Sequence, residues 1–345
     1  MAVYGSKTRQ RGLNIYLSHV CRIMLMNIKN LKLKKIATEE DTIIYEVIER
    51  LRKPQKKISS KFFYDDTGSA LFDEICGLDE YYLTRTEIEI MNDNIKNICS
   101  VLGQNCLLIE LGSGSSIKIR LLLDNLETLA AYVPVDISED HLLKSVDILV
   151  TDYKDLRIIP ICTDYTKPFS LPKFDFQYAK LVVYYPGSTL GNFTPDYAKK
   201  FLNSIAKRSG SGSGLLIGID LKKDTDILEN AYNDKMGVTA KFNLNILARL
   251  NKDIGSDFEL DKWEHLAFYN SEEGRIEMHL VSKTSQIVHI DGTGISIEKN
   301  ETILTEYSYK YSLDDFRSLV DDSYKIEKVW TDKESNFSLQ YLSVL

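Results

Sequence analysis

Three carboxylates, Glu110, Asp136 and Asp164, each close a short apolar run, and the small-residue turn "GSGSS" follows the first. If those runs are parallel strands, their carboxyl ends open onto the ligand crevice of a doubly wound sheet. Gly112 and Gly114 begin a GxG turn, but Ile117 stands where a dinucleotide fingerprint wants its third glycine. No GK[ST] follows at phosphate-loop spacing either. Asp136 lies about 20 residues past the glycines, where a ribose-binding acid belongs. A single strand-tip acid often only caps the next helix, as Asp136 before "SED" would. Three in succession suit a ligand with a ribose, an exposed adenine and no phosphate. S-adenosylmethionine, which carries a sulfonium and an ammonium, is such a ligand.

A second set of polar residues follows the run "AKLVVYYPGSTLGNF". Asn192 offers an amide donor and a carbonyl acceptor, so it can meet a carboxylate and an amine together. On spacing alone it would equally cap the helix that starts at "PDYAKK". Glu306 and Ser308 stand two apart on an expected strand and so share a face. An exposed alternating face would produce the same pair, and Tyr64 in "FFYDD" alone would be a core aromatic.

The elements that must position these groups show in the hydrophobic period. Residues 39–56 read as an amphipathic helix. From Cys106, "CLLIEL", "AAYVPVD", "RIIPICTD", "AKLVVYYPG" and "GLLIGIDL" read as strands with helices between them, an α/β pattern with a parallel sheet covered on both faces. After Asp220, "DILENAYNDKMGVTAKFNLNILARLNKDIG" reads as helical, and "HLAFYN", "RIEMHLVSK", "QIVHI" and "ETILTEYSYKYS" as antiparallel strands. The C-terminal stretch reads as a helix and a strand hairpin. The division expected is a Rossmann-like domain at 85–222 and 311–345, and an α+β substrate-binding domain at 36–84 and 223–310. Residues 1–35 are set apart as a poorly ordered tail, or an extension upstream of a start at Met24 or Met26.

The 345 residues are 43% hydrophobic and 27% charged, as in a soluble globular protein. A formal net charge of −7 argues against nucleic acid or an anionic membrane as partner. Five scattered cysteines without a CxxC pair suggest reduced thiols in the cytoplasm, with no disulfide framework and no metal site. The basic N-terminal stretch is too short and too polar to span a bilayer.

Seven blocks in fixed order, "FYDDTGSALFDEICGLDEYYLTRTE", "ELGSGSS", "PVDIS", "GSTLGNFTP", "AYNDKMGVTAKFNLN", "RIEMHL" and "LTEYSYKY", resemble the histidine-specific Nα-methyltransferases of ergothioneine biosynthesis. The resemblance runs from about Lys61 to the C-terminus. It implies a class I methyltransferase fold, S-adenosylmethionine as cofactor and L-histidine as small-molecule substrate, trimethylated on its α-amine to hercynine. Relatives in that family act on other amino-acid amines, so methylation of another amine stays open, as does a nicotinamide oxidoreductase, which Ile117 and Asp164 disfavour.

Carried over residue by residue, the resemblance puts Gly112, Ser113 and Lys118 at the methionyl end of the donor, Asp136 on the ribose, and Asp164 with Tyr165 at the adenine. It puts Asn192, the Gly187 carbonyl and Tyr232 on the amine and carboxylate of the acceptor. Glu306, Ser308 and Tyr81 fall to the imidazole, and Tyr64, Phe72 and Met278 to the same pocket. Tyr64 and Asn192 are the catalytic candidates, acting by positioning the amine. The chain departs from the family in having Leu83 where "YYPTR" is usual, which would loosen the loop carrying Tyr81. Tyr184-Tyr185-Pro186 before "GST" is a second departure and bears on pocket shape.

Overall fold

The structure, a computed structural model, describes residues 34–35 and 40–345 apart from 115, 168 and 170. Of the tail expected at residues 1–35, all but Lys34–Lys35 lies outside the described residues. Strand β1 (Lys34–Lys35) precedes helix α1 (Glu40–Leu51), strand β2 (Lys56–Lys57), and helices α2 (Asp66–Cys76) and α3 (Tyr82–Leu102). The alternating stretch then runs β3 (Cys106–Leu111), α4 (Ile117–Leu123), β4 (Leu129–Asp136), α5 (Glu139–Asp152), β5 (Ile161–Cys162), β6 (Leu181–Tyr185), α6 (Pro195–Ser209) and β7 (Gly214–Asp220). Helices α7 (Thr225–Asn230) and α8 (Val238–Ile254) lead to strands β8 (Trp263–Asn270), β9 (Arg275–Ser282), β10 (Gln286–Ile290), β11 (Thr293–Ile297) and β12 (Thr302–Tyr309). The chain closes with α9 (Leu313–Val320), β13 (Tyr324–Thr331) and β14 (Phe337–Val344).

The large sheet has the order β1-β5-β4-β3-β6-β7-β14-β13. It is parallel through β7 and antiparallel over its last two strands. Every residue of β3 is buried because both faces are covered. Leu107, Ile109 and Leu111 pack to one side with Phe201 and Leu202 of α6 and Phe316 of α9. Leu108 turns to the other side, with Ile90 of α3 and Leu142 of α5. This is the doubly wound arrangement, with both faces of a parallel sheet covered, that the period change implied. Lys34–Lys35, set apart on sequence, pairs in parallel with Ile161–Cys162 at the sheet edge.

A second sheet, β2-β12-β9-β8, faces α2 and α8 and has its own core of Val47, Phe63, Phe242, Ile246 and Leu280. Helix α3 runs across residues 84 and 85, from beside Tyr81 to the large sheet, so the two cores share one continuous element.

Two local expectations differ from what is observed, and one strand, antiparallel as expected, has its partner decided only by the structure. The run 157–164 contributes only Ile161–Cys162 to the ladder, with an isolated bridge from Ile158 to Tyr132. Pro160 between them has no N–H to donate, which interrupts the pairing. "QIVHI" does not join the second sheet but folds back on β11 as a separate hairpin. The helical stretch after Asp220 is two helices. Gly237, at φ +69, ends the turn between them, a backbone conformation that suits glycine.

Asp234 starts the second of those helices: its carboxylate accepts the Val238 N–H at 2.8 Å and the Thr239 N–H at 2.7 Å. Burial alone would raise its pKa, but these two backbone donors hold it below the usual carboxylate value. Asp234→Ala is therefore expected to cost about 1 kcal/mol of unfolding free energy at neutral pH. The depressed pKa means that this contribution is present above the unfolded value near pH 4 and is lost as pH falls through the folded value. Urea unfolding of both proteins at pH 7 and at pH 3 measures the difference and its decline.

Candidate active site

Strand β3 leads on to β4 on one side while β6, its other neighbour, leads on to β7 on the opposite side. The loops after β3 and β6 therefore diverge and leave a crevice between them, the usual ligand position in such sheets. The cleft here encloses about 1370 Å³, its open mouth included. Its lining includes Gly112, Ser113, Lys118, Asp136, Asp164 and Tyr165 on the large-sheet side, with Gly187 and Asn192 from the loop after β6. Tyr64, Phe72 and Tyr81 face them from the second sheet's side.

On the first side, Gly112 and Gly114 take positive φ (+75 and +47), so the loop turns tightly beneath the cleft. Asp136 accepts the Ser138 N–H at 2.9 Å and the Gly114 N–H at 3.3 Å. The helix-start contact and the loop contact thus coexist on one carboxylate. Burial raises its pKa against the pull of those N–H groups. Asp164 accepts the Thr166 N–H at 3.0 Å, and Tyr165 stands edge-on to Tyr185 at 5.9 Å. Glu110, buried and hydrogen-bonded by the Tyr132 hydroxyl, is pushed up to about 8 by burial. The Ser113 hydroxyl is buried and has no partner among the described residues, although it lines the cleft. An orphaned hydroxyl, a glycine turn and a carboxylate at the β4 tip suit the polar methionyl end and the ribose of an S-adenosyl group.

The facing wall is a chain of aromatic rings. Tyr64 meets Phe72 edge-on at 5.8 Å, Phe72 meets Tyr81 at 6.2 Å, and Tyr81 meets Tyr232 at 6.3 Å. Burial, then the nearby Glu306, hold the Tyr64 phenol well above its ordinary pKa, so Tyr64 stays protonated and is no base. Leu83 is buried in the same core as Tyr81 and fills the first turn of α3, where a proline would also be tolerated. The loop is packed there without proline.

Tyr232 ends this row of rings outside the cleft lining. Glu306, Ser308 and Met278 also lie outside it, Glu306 one hydrogen bond from Asn192 and Ser308 one from Tyr232. The Asn192 amide donates to Glu306 at 3.2 Å, joining the loop after β6 to β12. A register shift between Leu304 and Glu306 precedes both acceptor-side residues, so Glu306 and Ser308 keep a common face, with Glu306 opposite Met278 of β9. The Thr305 hydroxyl at the shift lies 2.7 Å from Asn243 Oδ1 and 3.0 Å from the Met278 carbonyl, which pins the irregularity. Burial pushes the Glu306 carboxyl up to about 7, with Lys310 pulling the other way.

Lys310 was not singled out on sequence. Its ammonium, fully buried, donates to Ser308 at 2.8 Å and Tyr232 at 3.3 Å and pairs with Asp220 at 2.7 Å. The Tyr232 and Ser308 hydroxyls are 2.8 Å apart. Lys223 also contacts Asp220, and burial pushes its amine down to about 8. Burial would raise Asp220, but Lys310 and Lys223 hold it below the usual range. The signal was present: 306, 308 and 310 alternate, so a lysine follows the two acceptor-side candidates on one face. Glu87, fully buried and paired with Lys118, was likewise missed, because a glutamate inside a helix reads as solvated.

Residues 43–344 match the family model of the histidine-specific methyltransferase, SAM-dependent. The chain belongs to this family. It is 38% identical over 290 residues to the histidine N-alpha-methyltransferase of Mycolicibacterium smegmatis, covering 82% of this chain and 89% of that protein. It is 37% identical over 272 residues to the enzyme of that name from Mycobacterium tuberculosis, with 77% and 83% covered. Ergothioneine biosynthesis protein 1 of Schizosaccharomyces pombe is 30% identical over 276 residues, covering 77% of this chain and 36% of that protein. The chain is thus a SAM-dependent methyltransferase, with a crevice at the switch between β3 and β6 and a buried ammonium, Lys310, behind Tyr232 and Ser308.

Removing one member of a buried ion pair leaves the other charge uncompensated and costs about 3–5 kcal/mol. Lys310→Met, similar in length to lysine, is expected to lose stability on that scale, since Asp220 would keep only Lys223. Denaturant unfolding of the variant checks this. A loss under about 1 kcal/mol would show that Lys223 alone satisfies Asp220.

Proposed function

We propose that this methyltransferase moves methyl groups from S-adenosylmethionine to the α-amino group of L-histidine, three in succession, giving hercynine. Residues 85–222 and 311–345 hold the donor, and 36–84 and 223–310 read the acceptor together with Gly187 and Asn192 from the loop after β6. The observation that carries this reading is the Asn192–Glu306 contact, which sets an amide suited to an amino acid's head beside a carboxylate suited to its ring. The enzyme works in the cytoplasm on a free amino acid.

The donor supplies an electrophilic methyl on a sulfonium. Asp136 takes the ribose hydroxyls, Asp164 and Tyr165 border the adenine, and Gly112, Ser113 and Lys118 hold the methionyl end. Asn192 and Tyr232 take the acceptor's carboxylate, with Lys310 behind Tyr232 favouring negative charge. The Gly187 carbonyl and the Tyr64 hydroxyl orient the amine. Glu306 accepts one ring N–H, and Ser308 serves the other nitrogen of the neutral imidazole. Tyr81, Phe72 and Met278 close the ring's surroundings.

The amine must arrive neutral to attack. With Tyr64 held protonated, the amine gives up its proton to water before each transfer. The N–CH3 bond forms as the S–CH3 bond breaks, S-adenosylhomocysteine leaves, and the protein contributes alignment of the nitrogen with the methyl. Gly187 and Ser188 leave room for the growing substituent.

Incubation with L-histidine and donor should yield mono-, di- and trimethylated histidine by mass spectrometry. Turnover of tryptophan and not of histidine would refute the substrate. Glu306→Ala should raise the KM for histidine about 10²-fold, since an unread ring N–H in a buried site forfeits 1–3 kcal/mol. Donor affinity by calorimetry should stay within about threefold. Equal loss of both would assign Glu306 to folding.

A further inference from the structure

Glu87 sits in α3, outside both strand-tip loops, yet its side chain is fully buried beneath the cleft. One carboxylate oxygen, Oε2, takes both of its contacts: the Lys118 ammonium at 2.5 Å and the backbone N–H of Gly187 at 2.9 Å. Lys118 belongs to the first turn of α4, after the glycine loop, and Gly187 to the loop after β6. These loops leave adjacent strands in divergent directions and contact different halves of the cleft. Glu87 ties them together from a third element.

The fit is close on every side. A Cβ on Gly187, at φ +74, would lie 3.4 Å from the Lys118 nitrogen. A Cβ on Gly218 would lie 2.6 Å from the other carboxylate oxygen, Oε1. Glycine at 218 therefore lets the carboxylate lie against β7. That second oxygen is buried and has no partner among the described residues. A carboxylate kept only to stabilise the fold would be expected to satisfy both oxygens, because an unpaired buried oxygen carries its desolvation cost uncompensated. Here the whole hydrogen-bonding capacity in use goes to the two cleft loops.

We propose that Glu87 is a positioning residue: by holding Lys118 and the Gly187 peptide on one oxygen, it sets the separation between the donated methyl and the attacking amine. The proposal rests on the reading above, in which Lys118 faces the donor and the Gly187 carbonyl faces the amine. Holding the Gly187 N–H anchors the backbone from which the Gly187 carbonyl projects. In-line transfer needs the reacting atoms about 3–3.5 Å apart, and a displacement of about 1 Å costs on the order of 10²-fold in rate.

The test uses Glu87→Gln, which keeps the size and removes the negative charge facing Lys118, and Glu87→Asp, which keeps the charge but is one methylene too short to reach both partners. Each is assayed in the full chain for kcat and KM with histidine, for the dissociation constant of S-adenosylhomocysteine by calorimetry, and for Tm. Both variants should stay folded at the assay temperature and lose about 10²-fold in kcat, with KM and the dissociation constant within about threefold of wild type, while the Tm of Glu87→Gln falls because Lys118 loses its buried counter-charge. Wild-type kcat in either correctly folded variant overturns the proposal, and full activity in Glu87→Asp alone reduces Glu87 to a counter-charge. Loss of kcat that tracks a collapse of Tm in both variants assigns Glu87 to the fold and also overturns it. Failure of the underlying reading shows separately, as a wild-type protein that does not methylate histidine.

Discussion

The ion pair between Asp220 and Lys310 joins the two halves of the molecule. Asp220 is the last residue of β7 in the large sheet, and Lys310 follows the last residue of β12 in the smaller one. Tyr311, the next residue, bridges back to Leu221. Buried charges of opposite sign are strongly destabilising when separated, so the ends of the two strands are held together, and with them the two walls of the cleft. Tyr82 at the start of α3 adds its hydroxyl to Asp220 at 2.8 Å, bringing the helix that crosses between the cores to the same point.

The consequence is a set of buried polar groups gathered behind the cleft, at the end proposed for the acceptor. Ser308 and Tyr232 receive hydrogen bonds from Lys310, and Glu306 is reached by the Asn192 amide. Rings from Tyr64 to Tyr232 shield this set, and the same shielding raises the pKa values of Tyr64 and Glu306. A buried phenol makes a poor base and a good fixed donor. Methyl transfer to an uncharged amine asks for placement more than for proton abstraction, and the site is built accordingly.

Much of the large sheet was legible in the residues. Apolar runs of strand length closed by Glu110, Asp136 and Asp164, with helices between them, permit few arrangements other than a parallel doubly wound sheet. The crevice and its acids follow from that rule. The second sheet was legible as strands but not as an arrangement: "QIVHI" alternates well enough to join it and instead pairs with its own neighbour. Alternation states which residues share a face and says nothing about which edge a strand will meet. Ordered blocks, rather than any single motif, distinguished Glu306, Ser308 and Asn192 from an exposed face and a helix cap.

Local pattern therefore determined the strand-tip acids, the glycine turn and the common face of Glu306 and Ser308, because backbone period and side-chain type act over a few residues. Tertiary structure alone decided what Glu87, Asp220 and Lys310 do. Each is a charged residue buried against a partner 31, 90 and 90 positions away, and although alternation puts Lys310 on the face of Glu306 and Ser308, its partner Asp220 lies in another segment. Burial of a charge depends on who arrives to pair with it, and no stretch of sequence contains that information by itself.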